Sequence, residues 1–258
     1  MFETLQQAPA DPILGLTTAF NADTNPNKIN LGVGVYKDAS GSTPIFKAVK
    51  TAEERILADE TTKSYLTIDG DPAYGAAVKD LLFGSSHEIV ESKRACTVQT
   101  PGGTGALRVA GDFIHQLFPD ASIWLSDPTW ANHGKVFGAA GVQTKAYPYY
   151  DSEQNALDFK ALLAALQQVP AGDIVLLHGC CHNPTGMDPT PDQWAAIADV
   201  VQERKFIPLV DFAYQGLGDG LEKDGRGLQA LAATGCEMFV ASSFSKNFGL
   251  YRERIGAL

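Results

Sequence analysis

From residue 94 onward, short apolar stretches and helix-patterned stretches alternate with little interruption, and this alternation constrains the chain more than any other feature. CTVQ (96–99) has strand character, and PGGTGALRVAGDFIHQLF after it places Leu107, Ala110, Ile114 and Leu117 on one helical stripe. SIWLS (122–126), a helix near 130–140, VQTKAYPY and a helix near 157–167 continue the series. DIVLLHG (173–179) is an almost unbroken apolar run, the pattern of a strand covered on both faces. Thr190, Pro191 and Gln193 spell a helix start: a capping hydroxyl, a proline at the first helical position and a glutamine three residues on. Trp194, Ile197 and Val201 form that helix's apolar stripe, and FIPLVD (206–211), a helix near 226–234 and MFVASS (238–243) complete the order. Repeated strand–helix units of this kind predict an α/β chain, an α/β/α sandwich around a mostly parallel sheet.

The first 35 or so residues lack that regularity. Pro9, Pro12 and the turn-rich NADTNPNK (21–28) suggest an arm, and NLGVGVY (30–36) a short extended segment; helical pattern begins near FKAVKTAEERILA (46–58). There is no internal repeat and no low-complexity tract. The chain has 258 residues, enough for a large core. Its net charge of −10, with no Lys/Arg block, argues against a nucleic-acid partner. No apolar run approaches the ~18 residues of a membrane span. The N-terminal sixteen residues lack the basic-then-apolar order of a signal peptide. Cys96, Cys180, Cys181 and Cys236 form no C-x-x-C pair, so reduced thiols and a cytoplasmic location are expected. His178 and His182 bracket two cysteines, but the spacing fits no common zinc pattern, and no metal is expected.

In open α/β sheets, ligands bind where the carboxyl ends of the strands meet their loops. Four unusual groups fall there: Gly102-Gly103-Thr104, Asn183-Pro184-Thr185-Gly186, Asp211 with Tyr214, and Lys246 in SSFSKNFG. Singly each has an ordinary explanation: a tight turn, a loop, a cap, a solvated lysine. Trp130 and His133 are likewise ordinary core residues when taken alone. Together they suit one chemistry. A sheltered lysine can present an unprotonated amine, a carboxylate can hold a proton on a pyridine nitrogen, and a helix N-terminus with Arg254 can grip a phosphate.

Six segments, NLGVGVYKD, PGGTGALR, DPTWANH, HGCCHNPTG, DFAYQG and SSFSKNFGLYRERIGA, occur in that order. They closely resemble the aspartate and aromatic-amino-acid aminotransferases, class I enzymes of fold type I, over essentially the whole chain. The resemblance implies pyridoxal 5'-phosphate as cofactor. It makes Lys246 the Schiff-base and proton-shuttling residue, Asp211 the partner of the pyridinium nitrogen, and Tyr214 and Asn183 the partners of the phenolic oxygen. Trp130 stacks on the ring, and His133 supports Asp211. Gly103, Thr104, Ser243, Ser245 and Arg254 hold the phosphate, and Tyr65 reaches the cofactor of a second subunit, implying a homodimer. Gly34, Trp130 and Asn183 line the substrate. Residues 1–35 become an N-terminal arm with a small-domain segment, and 36–258 the large cofactor-binding domain, incomplete at its end.

The family continues past the position of Leu258 with most of its small domain and two substrate-binding arginines, so these 258 residues alone are expected to transaminate poorly. The leading expectation is amino transfer between an amino acid, aspartate first, and 2-oxoglutarate. An aromatic-amino-acid aminotransferase and a non-catalytic cofactor-binding fragment remain as alternatives. A dinucleotide dehydrogenase is disfavoured, because GGTGA is not G-x-G-x-x-G and leaves Lys246 and Arg254 without a task.

Overall fold

The computed structural model describes residues 2–4, 12–29 and 34–258. The chain falls into two compact units, Met1–Ile45 and Phe46–Leu258. In the first, a short 3-10 turn (Phe2–Thr4) precedes helix α1 (Pro12–Ala22). The arm expected from its prolines therefore contains eleven helical residues. Pro12 occupies the opening position, where its missing N–H costs nothing and its fixed φ favours the helix. The extended segment expected at 30–36 lies outside the described residues for positions 30–33.

The second unit opens with helices α2 (Lys47–Asp59), α3 (Pro72–Phe83) and α4 (Glu88–Glu91). Strand β1 (Gln99–Pro101) leads straight into α5 (Gly102–Leu117), β2 (Ser122–Asp127), α6 (Asn132–Ala139) and β3 (Gln143–Pro148). A small ribbon of β4 (Tyr150–Asp151) and β5 (Ala156–Leu157) precedes α7 (Phe159–Leu166). Next come β6 (Ile174–His178), α8 (Pro191–Arg204) and β7 (Ile207–Phe212). Helices α9 (Leu221–Asp224) and α10 (Arg226–Ala233), then β8 (Phe239–Ser243) and β9 (Ile255–Ala257), complete the order.

The seven-stranded sheet runs β1-β9-β8-β7-β6-β2-β3. From β8 through β3 every pairing is parallel, while β9 pairs antiparallel with both β1 and β8. The expected mostly parallel sandwich is what forms, and β6 shows why. Its five residues are all buried. Successive side chains leave opposite faces of a strand. Ile174 and Leu176 enter one core with Leu107, Ala110 and Ile114 of α5 and Phe137 of α6. Val175 and Leu177 enter the other with Leu162 of α7, Trp194, Ile197 and Val201 of α8, and Leu228 of α10. Two helical layers therefore clasp one sheet.

Local signals set the boundaries. Thr190 Oγ1 accepts from the Gln193 amide at 3.3 Å while Gln193 Oε1 accepts from the Thr190 amide at 2.8 Å, so α8 begins with the reciprocal cap its sequence spells. Two expectations shift. The first strand lies at 99–101 rather than 96–99, where it meets its partner β9. Leu117 is exposed, because α5 ends there and its last turn overhangs the sheet. Helix α2 forms as expected, yet none of its residues is buried within the described structure.

Candidate active site

Five parallel strands point their carboxyl ends toward one cavity of about 190 Å³. Its lining includes Gly103 and Thr104 beyond β1, Trp130 beyond β2, Asn183 beyond β6, Asp211 and Tyr214 from β7, and Ser243, Ser245, Lys246 and Arg254 around β8 and β9. Every cavity-facing candidate named from the large unit's strand ends is thus brought together. Tyr65 stands apart, fully exposed and outside that lining, and Gly34 belongs to the other compact unit, where it is exposed.

Lys246 sits in the turn after β8, half-buried, with Nζ 4.6 Å from the centre of the Tyr214 ring. Burial holds its proton affinity below that of an ordinary lysine, and the Arg254 guanidinium pushes it further down against the opposing pull of Asp211. More of the amine is therefore available as a nucleophile at neutral pH. Burial raises the Tyr214 phenol, as does the Asp211 carboxylate, while an Asn183 side-chain hydrogen bond works the other way.

The opposite end of the cavity is built for an anion. The first-turn amides of α5, a sixteen-residue helix, face it with the positive end of the helix dipole. Arg254 is braced beside them, its Nη1 donating to Ser245 Oγ at 3.2 Å and to the Tyr251 carbonyl at 3.0 Å. Close backbone approach makes this possible. A Cβ on Gly102 would stand 2.6 Å from Arg254 Nη2, and one on Gly103 2.9 Å from Ser243 Cβ. A Cβ on Gly256 would run into the Gly102 backbone itself. Amine, carboxylate, aromatic wall and anion cup fit a phosphorylated, planar, protonable ring.

Behind Asp211 lies a polar relay that was legible only in part. His133, fully buried, meets Asp211 Oδ2 through Nε2 at 2.9 Å, and its Nδ1 meets Thr129 Oγ1 at 2.8 Å. Thr129 Oγ1 also meets His178 Nε2 at 3.2 Å, and the Asn183 amide donates to His178 Nδ1 at 3.4 Å. One set of protons runs through the chain: an amide can only donate, so His178 carries its hydrogen on Nε2 and gives it to Thr129. Thr129 then donates to His133 Nδ1, leaving His133 Nε2–H for the carboxylate. Burial depresses the His178 imidazole to about 4 and His182 to about 3, so both remain neutral. His182 spends its nitrogens on Ser126 Oγ and Thr185 Oγ1. Sequence pattern marked His133 but not Thr129, His178 or Tyr251 as site neighbours; Thr129 and His178 lie at strand ends, while Tyr251 sits in the turn between β8 and β9.

The family model for aminotransferase class I and II matches residues 26–258. The aspartate aminotransferase of Salmonella typhi is 56% identical over 257 residues, covering 100% of this chain and 65% of its own length. The aromatic-amino-acid aminotransferase of Pseudomonas aeruginosa is 52% identical, covering 100% and 64%. Among solved structures, the aromatic-amino-acid aminotransferase of Burkholderia pseudomallei, covalently bound to pyridoxal phosphate, superposes with a TM-score of 0.96 at 47% identity, covering 100% of this chain and 64% of that one. This chain therefore spans about 65% of the length of such relatives. A fold and a sequence shared at this level leave one assignment: the chain belongs to the class I and II aminotransferase family.

Proposed function

We propose that this chain carries a pyridoxal-phosphate-dependent transamination site, moving an amino group between aspartate and 2-oxoglutarate. The observation that supports it is the sharing of one cavity by the Lys246 amine, the Asp211 carboxylate and the Arg254 guanidinium. Bound there, pyridoxal phosphate supplies an electrophilic carbon and an electron-poor ring that takes up electron density released at the substrate's α-carbon. Lys246 Nζ tethers the cofactor and then carries the α-proton. Asp211, oriented by His133, keeps a proton on the ring nitrogen. Tyr214 and Asn183 hydrogen-bond the ring oxygen, and Trp130 covers the ring face. Gly103, Thr104, Ser243, Ser245 and Arg254 grip the phosphate with charge-assisted bonds. Gly34, Trp130 and Asn183 face the substrate.

In the same reading, residues 1–35 form an arm and small-domain segment and 36–258 the large domain. Tyr65 reaches the phosphate of a second subunit, which makes the working form a homodimer. A cytoplasmic location is part of the same proposal, resting on the cysteine pattern of the sequence. Among the described residues no helix is long and apolar enough to cross a membrane. An aromatic amino acid as donor is the second reading, favoured by the 52% identity to the Pseudomonas enzyme.

Loading with pyridoxal phosphate tests the proposal. The chain should gain a visible absorption band that Lys246→Ala removes, and in a version extended to the full length of its relatives aspartate should bleach that band faster than phenylalanine. No band, or a band indifferent to Lys246, sinks the reading; faster bleaching by phenylalanine selects the second.

A further inference from the structure

The loop between β6 and α8 carries Asn183, and its conformation is held from within. Cys181 adopts φ +51°, a left-handed backbone that a residue with a Cβ rarely takes. That geometry turns two successive amides the same way, making a concavity suited to an anion. Asp188 fills it: Oδ2 accepts from the Cys181 amide at 2.6 Å and Oδ1 from the His182 amide at 2.8 Å. Both carboxylate oxygens are thus committed to consecutive backbone donors, and the next amide is that of Asn183, which donates to His178 Nδ1 at 3.4 Å. The loop closes on itself through the Gly186 amide to the His182 carbonyl, 2.7 Å. Asp188 is not the cap of α8, since Thr190 fills that position.

We propose that Asp188 is a positioning residue: by neutralising the amide pair that left-handed Cys181 exposes, it fixes where Asn183 stands in the cavity, and it acts on the cofactor only through Asn183. This rests on the transaminase reading for its cofactor-side consequence, but the loop geometry is a property of the chain alone. A backbone turned this way without its carboxylate leaves two amides competing for water, and the loop relaxes toward an ordinary conformation.

Two measurements decide it. In the cofactor-free chain, hydrogen exchange at Cys181–Asn183 should quicken by about tenfold or more in Asp188→Ala, as expected for loss of charge-assisted bonds, with α8 unchanged. Uniform quickening, or none, overturns the proposal. In the loaded chain, Asp188→Ala should weaken pyridoxal phosphate binding by about tenfold and shift the pH midpoint of its visible band in the same direction as Asn183→Ala. In an Asn183→Ala background the same change should cost less than about twofold, because residues acting through one another are not additive. Equal losses in both backgrounds overturn the proposal. Asp188→Asn, which keeps one acceptor, should fall between; a variant as poor as alanine in binding but normal in exchange overturns it as well. If the wild-type chain binds no cofactor, the transaminase reading fails while the exchange measurement still decides the loop.

Discussion

The carboxyl edge of the sheet and the stretch from Phe46 to Ile68 belong to the same compact unit, yet they are built on opposite terms. At the sheet edge the functional side chains stand at or just past the ends of the strands, and their neighbours are other residues of this chain: His133 on Asp211, Ser245 on Arg254, Tyr214 under Lys246. In the stretch from Phe46 to Ile68 the apolar side chains of Ile56, Leu57, Tyr65, Leu66 and Ile68 are largely or wholly exposed, and α2 buries nothing. Large apolar side chains exposed in such number along one stretch are characteristic of segments that meet a partner. One region derives its geometry from its own core; the other buries little within the described structure and offers the surface that the proposed homodimer would cover.

That contrast can be broken most sharply at Gly256. If the sheet edge owes its shape to close backbone packing, Gly256→Ala should force Gly102 and the start of α5 away from Arg254. Pyridoxal phosphate affinity should drop about hundredfold, some 3 kcal/mol, measured by titrating the visible band; unchanged affinity would sink the idea that backbone approach shapes the anion cup. A smaller effect comes from acid. An unfolded chain protonates histidine near pH 6.5, while burial holds the His178 imidazole down at about 4. Above pH 6.5 the two states bind protons equally; below it the unfolded chain gains one that the fold refuses. His178 alone should therefore lower stability by up to about 1.4 kcal/mol per pH unit as pH drops from 6.5 toward 4, and buried His182 adds a share of the same sign. Urea midpoints at pH 7 and pH 5 read this, and His178→Asn should make the slope shallower, leaving the His182 share; identical slopes would refute it. The smallest effect is expected in the exposed stretch. Ile68→Ser should change the chain's own unfolding free energy by less than about 0.5 kcal/mol while weakening self-association in sedimentation; a large loss of monomer stability would show that the stretch packs within the chain after all.

The sequence made the sheet legible where local chemistry decides. Continuous apolarity in β6 and the reciprocal cap of α8 each have one physical solution, and both formed as read. The convergence of Gly103, Asn183, Asp211, Lys246 and Arg254 followed from the parallel topology once the alternation was recognised. What stayed hidden depends on through-space pairing. The position of β1 is set by β9, more than 150 residues away, not by CTVQ. Thr129 and His178 have ordinary sequence surroundings, and only folding threads them between Asn183 and His133. Helix α1 was masked by the prolines around it, and α2, although recognised, carries apolar residues that say nothing about what they touch.

The antiparallel strand β9 has a consequence for how the protein is made. It lies between β1 and β8, so Gln99–Pro101 has no place in the sheet until Ile255–Ala257 arrives. A ribosome releasing the chain from its amino end therefore exposes α5 and its glycine turn long before their support exists, and long-range closure of this kind is slow. Capture of a phosphorylated ligand therefore waits on Ile255–Ala257, more than 150 residues after the glycine turn it supports.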